Sequence, residues 1–264
     1  MNAKREKLRS LLMEHSPLLV AYSGGVDSAF LLAEAHQVLG EKVLGVIADS
    51  PSLPRKALAE ALSLAESIGC LVEVVRTDEF ANPQYSANPV NRCYFCKAEL
   101  FAKLNALASE RRFAAIAYGE NADDMRQVRP GRKAAAEFSI VAPLRDAELT
   151  KAEIREISRE LGLPTADAPA QPCLSSRIPH GTPVTLEALS MVESGEEWVR
   201  SLGFRVFRVR HIVEPETEGA RARVQIAPEE MGRLEGELSS RLLGGLEAIG
   251  YRNVEIDPAG YRSS

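Results

Sequence analysis

Six consecutive residues, Ser23-Gly24-Gly25-Val26-Asp27-Ser28, bring hydroxyls, glycines and a carboxylate into one turn. The apolar run Leu18–Ala21 before it reads as a buried strand, and the apolar spacing after it reads as the start of a helix. Glycines at such a junction let backbone N–H groups approach a ligand, because no Cβ stands in the way. The new helix points unpaired N–H groups and the positive end of its dipole at the same spot. That combination suits an anion, and Ser23 and Ser28 add hydroxyl donors. Asp27 would repel a phosphate unless a divalent cation such as Mg²⁺ bridges the two. The lysine of the Walker-type loop is missing. A plain strand–turn–helix junction capped by Ser and Asp is the competing account.

The second set of reactive residues is the cysteines. Cys93 and Cys96 form a C-x-x-C at a predicted helix start, and Cys173 lies in a proline-flanked loop. Half of a zinc site, a redox dithiol, two ligands of an iron–sulfur cluster, or two thiols without a partner all fit the first pair. No second C-x-x-C or HxxxH follows to complete a zinc site. Beside a bound nucleotide, the Cys173 thiol would suit a nucleophile or sulfur carrier. Arg177, four residues on, puts a positive charge in the same loop. Cys70, between a helix-ending glycine and a strand, reads as a small buried hydrophobe.

These residues need a scaffold. The chain has 264 residues and a net charge of −5, enough for one large or two smaller domains and without a general nucleic-acid footprint. No apolar run is long enough to span a bilayer. Met1 to Ser16 is polar and helix-like rather than a signal peptide, so a cytoplasmic location and reduced cysteines are expected.

Residues 4–15 predict a helix, and helices or strands then alternate: strand 18–21, helix to Leu39, strand 43–48, helix 54–68, strand 71–75. That alternation predicts an α/β fold, a doubly wound and mostly parallel sheet. Ligands of such sheets sit beyond the carboxyl ends of the strands, where the Ser23–Ser28 turn lies. Residues 76–92 read as a loop, the string 91–97 opens a helix to about Ser109, 113–118 reads as a fourth strand and 140–144 as a short fifth. Thr150 and Glu153 form a capping-box pattern for a helix to Leu161. The Pro-rich stretch 164–183 reads as a functional loop. The domains are expected at 1–182 and 183–264. The second is a smaller α/β unit of helix 186–202, strands 205–213 and 222–226, helix 229–249 and strand 253–256.

The string SGGVDS resembles the PP-loop of the N-type ATP pyrophosphatases, which cleave ATP between the α and β phosphates. With RCYFCK, GENADD, VRPGRKAA, LTKAEIRE, LGLPTAD and CLSSRIPHGTPVT added, the chain resembles the LarE family of ATP-dependent sulfur transferases. The resemblance runs from about Leu18 to Thr185, and more loosely beyond. It implies that ATP adenylates a carboxylate on a pyridinium mononucleotide, and that a sulfur nucleophile then displaces AMP to leave a thiocarboxylate. The product belongs to nickel-pincer nucleotide synthesis.

Carried over residue by residue, Ser23, Gly24, Gly25, Val26, Asp27 and Ser28 would bind ATP. Ala48 and Gly119, at the ends of the second and fourth strands, would complete that site. Cys173 matches the cysteine that some members sacrifice to dehydroalanine. In other members three cysteines hold a [4Fe-4S] cluster, which makes Cys93, Cys96 and Cys173 its ligands here. Arg208 and Arg210, with Arg177, would hold the substrate phosphate; the first two alternate on one strand face. Members carry an acidic residue where this chain has Gln225, and Glu196 reads as a surface helix carboxylate.

The partners expected are a small nucleotide and a second copy of the chain, with no membrane and no nucleic acid. A PP-loop tRNA thiolase and an ammonia-using synthetase are the rival enzymes. A nucleotide-binding regulatory module is the rival without catalysis.

Overall fold

The computed structural model describes residues 2–126, 130–169, 171–214 and 219–261. Helix α1 (Asn2–Glu14) leads into strand β1 (Leu18–Ala21), α2 (Val26–Leu39), β2 (Val43–Asp49), α3 (Arg55–Ile68) and β3 (Val72–Arg76). A short α4 (Pro83–Ser86) precedes α5 (Arg92–Arg111), β4 (Ala115–Tyr118), α6 (Pro130–Glu137), α7 (Pro143–Asp146) and α8 (Lys151–Glu160). Then follow α9 (Leu186–Ser201), β5 (Phe207–Val213), β6 (Ala220–Ile226), α10 (Pro228–Met231), α11 (Gly236–Ile249) and β7 (Asn253–Ile256).

These elements gather into two compact units. The first comprises residues 1–82 and 91–171, and the second residues 83–90 and 172–264. The second unit thus takes in residues 172–182 and, from far upstream, the strap Pro83–Val90.

In the first unit the strands run in the order β3-β2-β1-β4, and every pairing is parallel. Side chains of a strand point alternately to opposite faces. Leu18 and Val20 accordingly enter a core with Leu8, Phe30, Leu64 and Ile154, while Leu19 enters another with Phe101, Leu104 and Ala134. Both faces are covered, as a near-continuous apolar strand requires. The expected α/β class and parallel sheet are what the chain forms.

Helix α2 lies deep in the first core, with even Glu34 fully buried. A buried carboxylate needs a cation, and Arg5 and Arg9 of α1 supply two; Arg9 Nε stands 3.1 Å from Glu34 Oε2.

Two local expectations, a strand at 140–144 and a single helix at 229–249, are corrected. The segment 140–144 forms no fifth strand: it makes one parallel bridge, Ala117 to Val141, and Pro143 then opens α7. Proline has no N–H for a ladder but suits the first turn of a helix. Within VRPGRKAA, Pro130 onward is helical, while Val128 and Arg129 lie outside the described residues. The single helix 229–249 is two, α10 and α11, separated by Gly232–Glu235.

In the second unit β5 pairs antiparallel with β6, and β6 pairs parallel with β7. Phe207, Val209, Ala222, Val224 and Ile226 face a core with Val199, Leu242, Leu246 and Tyr251. The alternation sends Arg208, Arg210, Arg223 and Gln225 to the other face.

Candidate functional site

The predicted turn forms at the carboxyl end of β1. Tyr22 N donates to Val46 O of β2 at 2.8 Å, and the Tyr22 hydroxyl donates to Ala61 O of α3 at 2.9 Å. Gly24 follows at φ 74°, in the left-handed region, with the position of a Cβ only 2.7 Å from Ala61 Cβ. Gly25 then starts α2 without any side-chain cap. Ser28 Oγ donates back to Gly25 O at 3.0 Å and lies 3.1 Å from Ser23 Oγ. Gly119, at the end of β4, packs so tightly on this helix start that a Cβ there would lie 2.9 Å from Ser28 N. Ser23 and Gly25 are exposed, Val26 and Ser28 are buried, and Ala48 is half-buried near the end of β2.

Asp27 is held from two sides. Asn121 Nδ2 donates to its Oδ1 at 3.3 Å, and Lys151 Nζ to its Oδ2 at 2.6 Å. Asn121 belongs to the loop after β4, and Lys151 opens α8. The same loop grips that helix: Asp123 Oδ2 accepts from Lys151 N at 2.8 Å, and Ala122 N donates to Leu149 O at 2.9 Å. A capping box of Thr150 and Glu153 fixes the helix start.

Glu120, buried in that loop, accepts from Arg132 Nε at 2.8 Å and Arg145 Nη1 at 3.0 Å. Burial alone would raise its carboxyl, but hydrogen bonding from Arg132 and the charges of both arginines hold it below the usual range. Sequence reasoning missed Asn121, Lys151 and Glu120 as a network. The strings GENADD and LTKAEIRE are visible, but nothing local says that their side chains converge on Asp27 and on the helices beside it.

The C-x-x-C opens α5, with Cys93 exposed and Cys96 half-buried. Three residues apart on a helix, the two share a face. Their surroundings are aromatic: Tyr94 and Phe95 meet edge to face at 5.3 Å, and Tyr94 donates to Glu137 Oε2 of α6 at 2.7 Å. Cys70 is buried, and burial pushes its thiol up to about 11, in keeping with an inert core residue.

In the second unit Cys173 is an exposed thiol at the start of a 3-10 turn, Leu174–Arg177. Arg177 is buried rather than open to a ligand. It binds Glu196 through Nε at 2.8 Å and Nη2 at 2.9 Å, and Nη1 donates to Pro172 O at 2.6 Å and Cys173 O at 3.1 Å. The side chain therefore shapes the Cys173 loop. Glu196 is 5% exposed, which corrects the surface carboxylate expected from sequence. A guanidinium in that loop needs a buried counter-charge, and α9 provides it.

Arg208 and Arg210 do share the outer face of β5. Arg210 donates to Ser176 O at 2.9 Å and to Gln225 Oε1 at 2.8 Å, while Arg208 lies over the Tyr261 ring at 4.8 Å. Burial, and then repulsion from Arg177, push both guanidinium groups down from their ordinary value. Glu196 offsets part of that repulsion, and an arriving anion would relieve it further.

For Mg²⁺ the residues fit. A magnesium ion bound with a triphosphate takes most ligands from phosphate and water, so the single part-exposed carboxylate of Asp27 suffices. No group of three His, Cys, Asp or Glu side chains stands ready for a metal among the described residues. Cys93 and Cys96 belong to the first unit and Cys173 to the second. All three are free thiols, the donor chemistry an iron–sulfur cluster takes.

No protein-family model matches the chain. An uncharacterized protein of Synechocystis is 41% identical over 100% of this chain and 96% of its own length. The pyridinium-3,5-bisthiocarboxylic acid mononucleotide synthase of Lactiplantibacillus plantarum is 31% identical over 98% of this chain and 92% of its own. The chain belongs to the LarE family. An argininosuccinate synthase of Methanocaldococcus jannaschii is 29% identical over 55% of this chain, which sets this LarE-family protein within the wider PP-loop group. No helix among the described residues is long and apolar enough to cross a membrane.

Proposed function

We propose that the chain is an ATP-dependent sulfurtransferase of nickel-pincer nucleotide synthesis. It adenylates a carboxylate of a pyridinium mononucleotide and converts it to a thiocarboxylate. The observation that carries this reading is the match along nearly the whole chain to the Lactiplantibacillus plantarum synthase.

A carboxylate is a poor acyl donor, because its leaving group would be oxide. In the first step a substrate carboxylate oxygen attacks the α-phosphorus of ATP, and pyrophosphate leaves. The Ser23–Ser28 turn cradles the departing phosphates with N–H groups and hydroxyls, and Ala48 and Gly119 border the nucleotide. Mg²⁺ on Asp27 would neutralise charge on the leaving pyrophosphate. Arg208 and Arg210 hold the phosphate of the mononucleotide, and Arg177 holds the Cys173 loop.

In the second step a sulfur nucleophile adds to the acyl carbon, and AMP leaves with the C–O electron pair. If Cys173 itself attacks, a thioester forms; loss of its Cα proton and cleavage of its Cβ–S bond then release thiocarboxylate and leave dehydroalanine. Cys93, Cys96 and Cys173 together would hold a [4Fe-4S] cluster, which would supply a sulfide nucleophile and spare the cysteine. The presence of all three thiols favours this second source.

The test is to supply ATP, Mg²⁺ and the pyridinium-dicarboxylate mononucleotide, and to follow pyrophosphate, AMP and thiocarboxylate. All three should appear only when the carboxylate substrate is present. Turnover that needs tRNA or ammonia instead would overturn the reading.

A further inference from the structure

The strap Pro83–Val90 leaves the first unit after Asn82 and belongs to the second. Its side chains reach the segment that carries Cys173. Tyr85 is 1% exposed, with its hydroxyl 2.9 Å from Ser175 Oγ, two residues after the thiol. Asn88 is fully buried and donates from Nδ2 to Pro179 O and Thr182 O, each at 2.8 Å. The backbones join as well: Gly181 N donates to Asn88 O at 3.0 Å, and Val184 N to Ser86 O at 2.8 Å.

These contacts matter because the Cys173 segment has little structure of its own. One 3-10 turn is its only regular element before α9. The Asn88 amide ties two of its carbonyls together, adding to the bond that Thr182 N gives Pro179 O at 3.1 Å and supplying one to Thr182 O. Without it the loop would lose the bond that holds Pro179 and Thr182 to the strap. Asn88 sits at φ 55°, a left-handed conformation that Asn tolerates better than most residues. Its amide is thus carried by a backbone held in one shape. Arg177 pins the loop on the thiol's own backbone, and Tyr85 pins it at Ser175.

We propose that Tyr85 and Asn88 are positioning residues for Cys173: the strap sets the shape of the loop from which the thiol acts. The proposal deepens the sulfurtransferase reading and rests on it for the role of Cys173. The chain then runs from Val90 through Asn91 directly into α5 and its two cysteines.

The experiment uses full-length protein carrying Tyr85→Phe, which removes one hydroxyl, or Asn88→Gly, which keeps the left-handed backbone and removes the amide. Three readouts separate the cases: pyrophosphate release, single-turnover thiocarboxylate formation, and the rate at which iodoacetamide alkylates Cys173, mapped by peptide mass spectrometry. Both variants should release pyrophosphate within about twofold of the parent, with KM for ATP unchanged. Thiocarboxylate formation should fall roughly 10- to 100-fold, the scale of a nucleophile displaced by an ångström. Alkylation of Cys173 should change while that of Cys93 does not.

Adding Ser175→Ala to Tyr85→Phe should cost less than the two single changes summed, since the pair shares one bond. Parent-like thiocarboxylate formation and parent-like alkylation in both variants overturn the proposal. So does a parallel fall in pyrophosphate release, which marks a merely structural role. If Asn88→Gly does not fold, Tyr85→Phe decides alone. A parent enzyme that makes no thiocarboxylate refutes the sulfurtransferase reading instead, and the alkylation comparison still decides the role of the strap.

Discussion

Asp27 carries the wrong sign of charge for the turn proposed to receive phosphate. The structure answers with Lys151, whose ammonium lies 2.6 Å from the carboxylate. Three expectations follow at this scale. Asp27→Asn keeps the size and the contact to Asn121 but loses the charge that a metal ion would use. Pyrophosphate release should disappear while the thermal unfolding curve stays close to the parent's; release at the parent's rate sinks the assignment. Lys151→Met leaves Asp27 without its cation and takes one positive charge from the phosphate site. Both groups are partly exposed, so solvent screens the effect, and Mg-ATP affinity should fall about tenfold. Calorimetric titration giving unchanged or tighter binding would count against it. Cys173→Ala should form AMP from bound substrate yet make no thiocarboxylate. Thiocarboxylate from that variant removes Cys173 from the chemistry.

Elements hold these residues in place, and their tolerances can be read from the packing. Gly24 combines a left-handed φ of 74° with a contact to α3 that no Cβ could occupy. Gly24→Ala should destabilise the protein by about 1–3 kcal/mol and abolish ATP binding. Adding Ala61→Gly removes the clash but not the backbone strain, so chemical denaturation should show partial recovery. Full recovery would mean that strain at Gly24 is unimportant.

Helix α8 gives a pH signature. A hydrogen bond from Lys4, then one from Thr150 N, hold the Glu153 carboxyl down at about 2. The folded value lies below the unfolded one of about 4.3, so this contribution is present above that pH and is lost as pH falls toward 2. Glu153→Gln should flatten the dependence of stability on pH across that window. Urea melts with the parent's acid slope would refute it.

At this scale the sequence was a good guide to what is local. The β–α alternation and the Thr150 cap follow from apolar periodicity and from residues three apart. The 140–144 strand failed because Pro143 ends pairing after one bridge. Glu196 was misread because its partner, Arg177, comes from another element. Burial set by long-range charge pairing leaves no mark in local spacing, and neither does the docking of Tyr85 against Ser175.

For the molecule as a whole the open question is where the sulfur comes from, and the two units divide the answer. The second unit alone carries one thiol in its exposed loop, enough for a single sacrificial turnover. The first unit adds two thiols on one helix face, which the sacrificial route would leave idle. Anaerobically purified protein should therefore be brown and contain iron, and Cys93→Ala should lose the charge-transfer absorption while the turn at residues 23–28 is untouched. Intact-mass spectrometry after turnover then separates the sources. An unchanged polypeptide with product exceeding one per chain when sulfide is supplied fits a cluster held by Cys93, Cys96 and Cys173. A chain lighter by one H₂S, with the loss mapped to Cys173 and product limited to one per chain, shows self-sacrifice. Colourless, iron-free protein that turns over with its mass intact would defeat both, and would point to a persulfide carried by one of the same thiols.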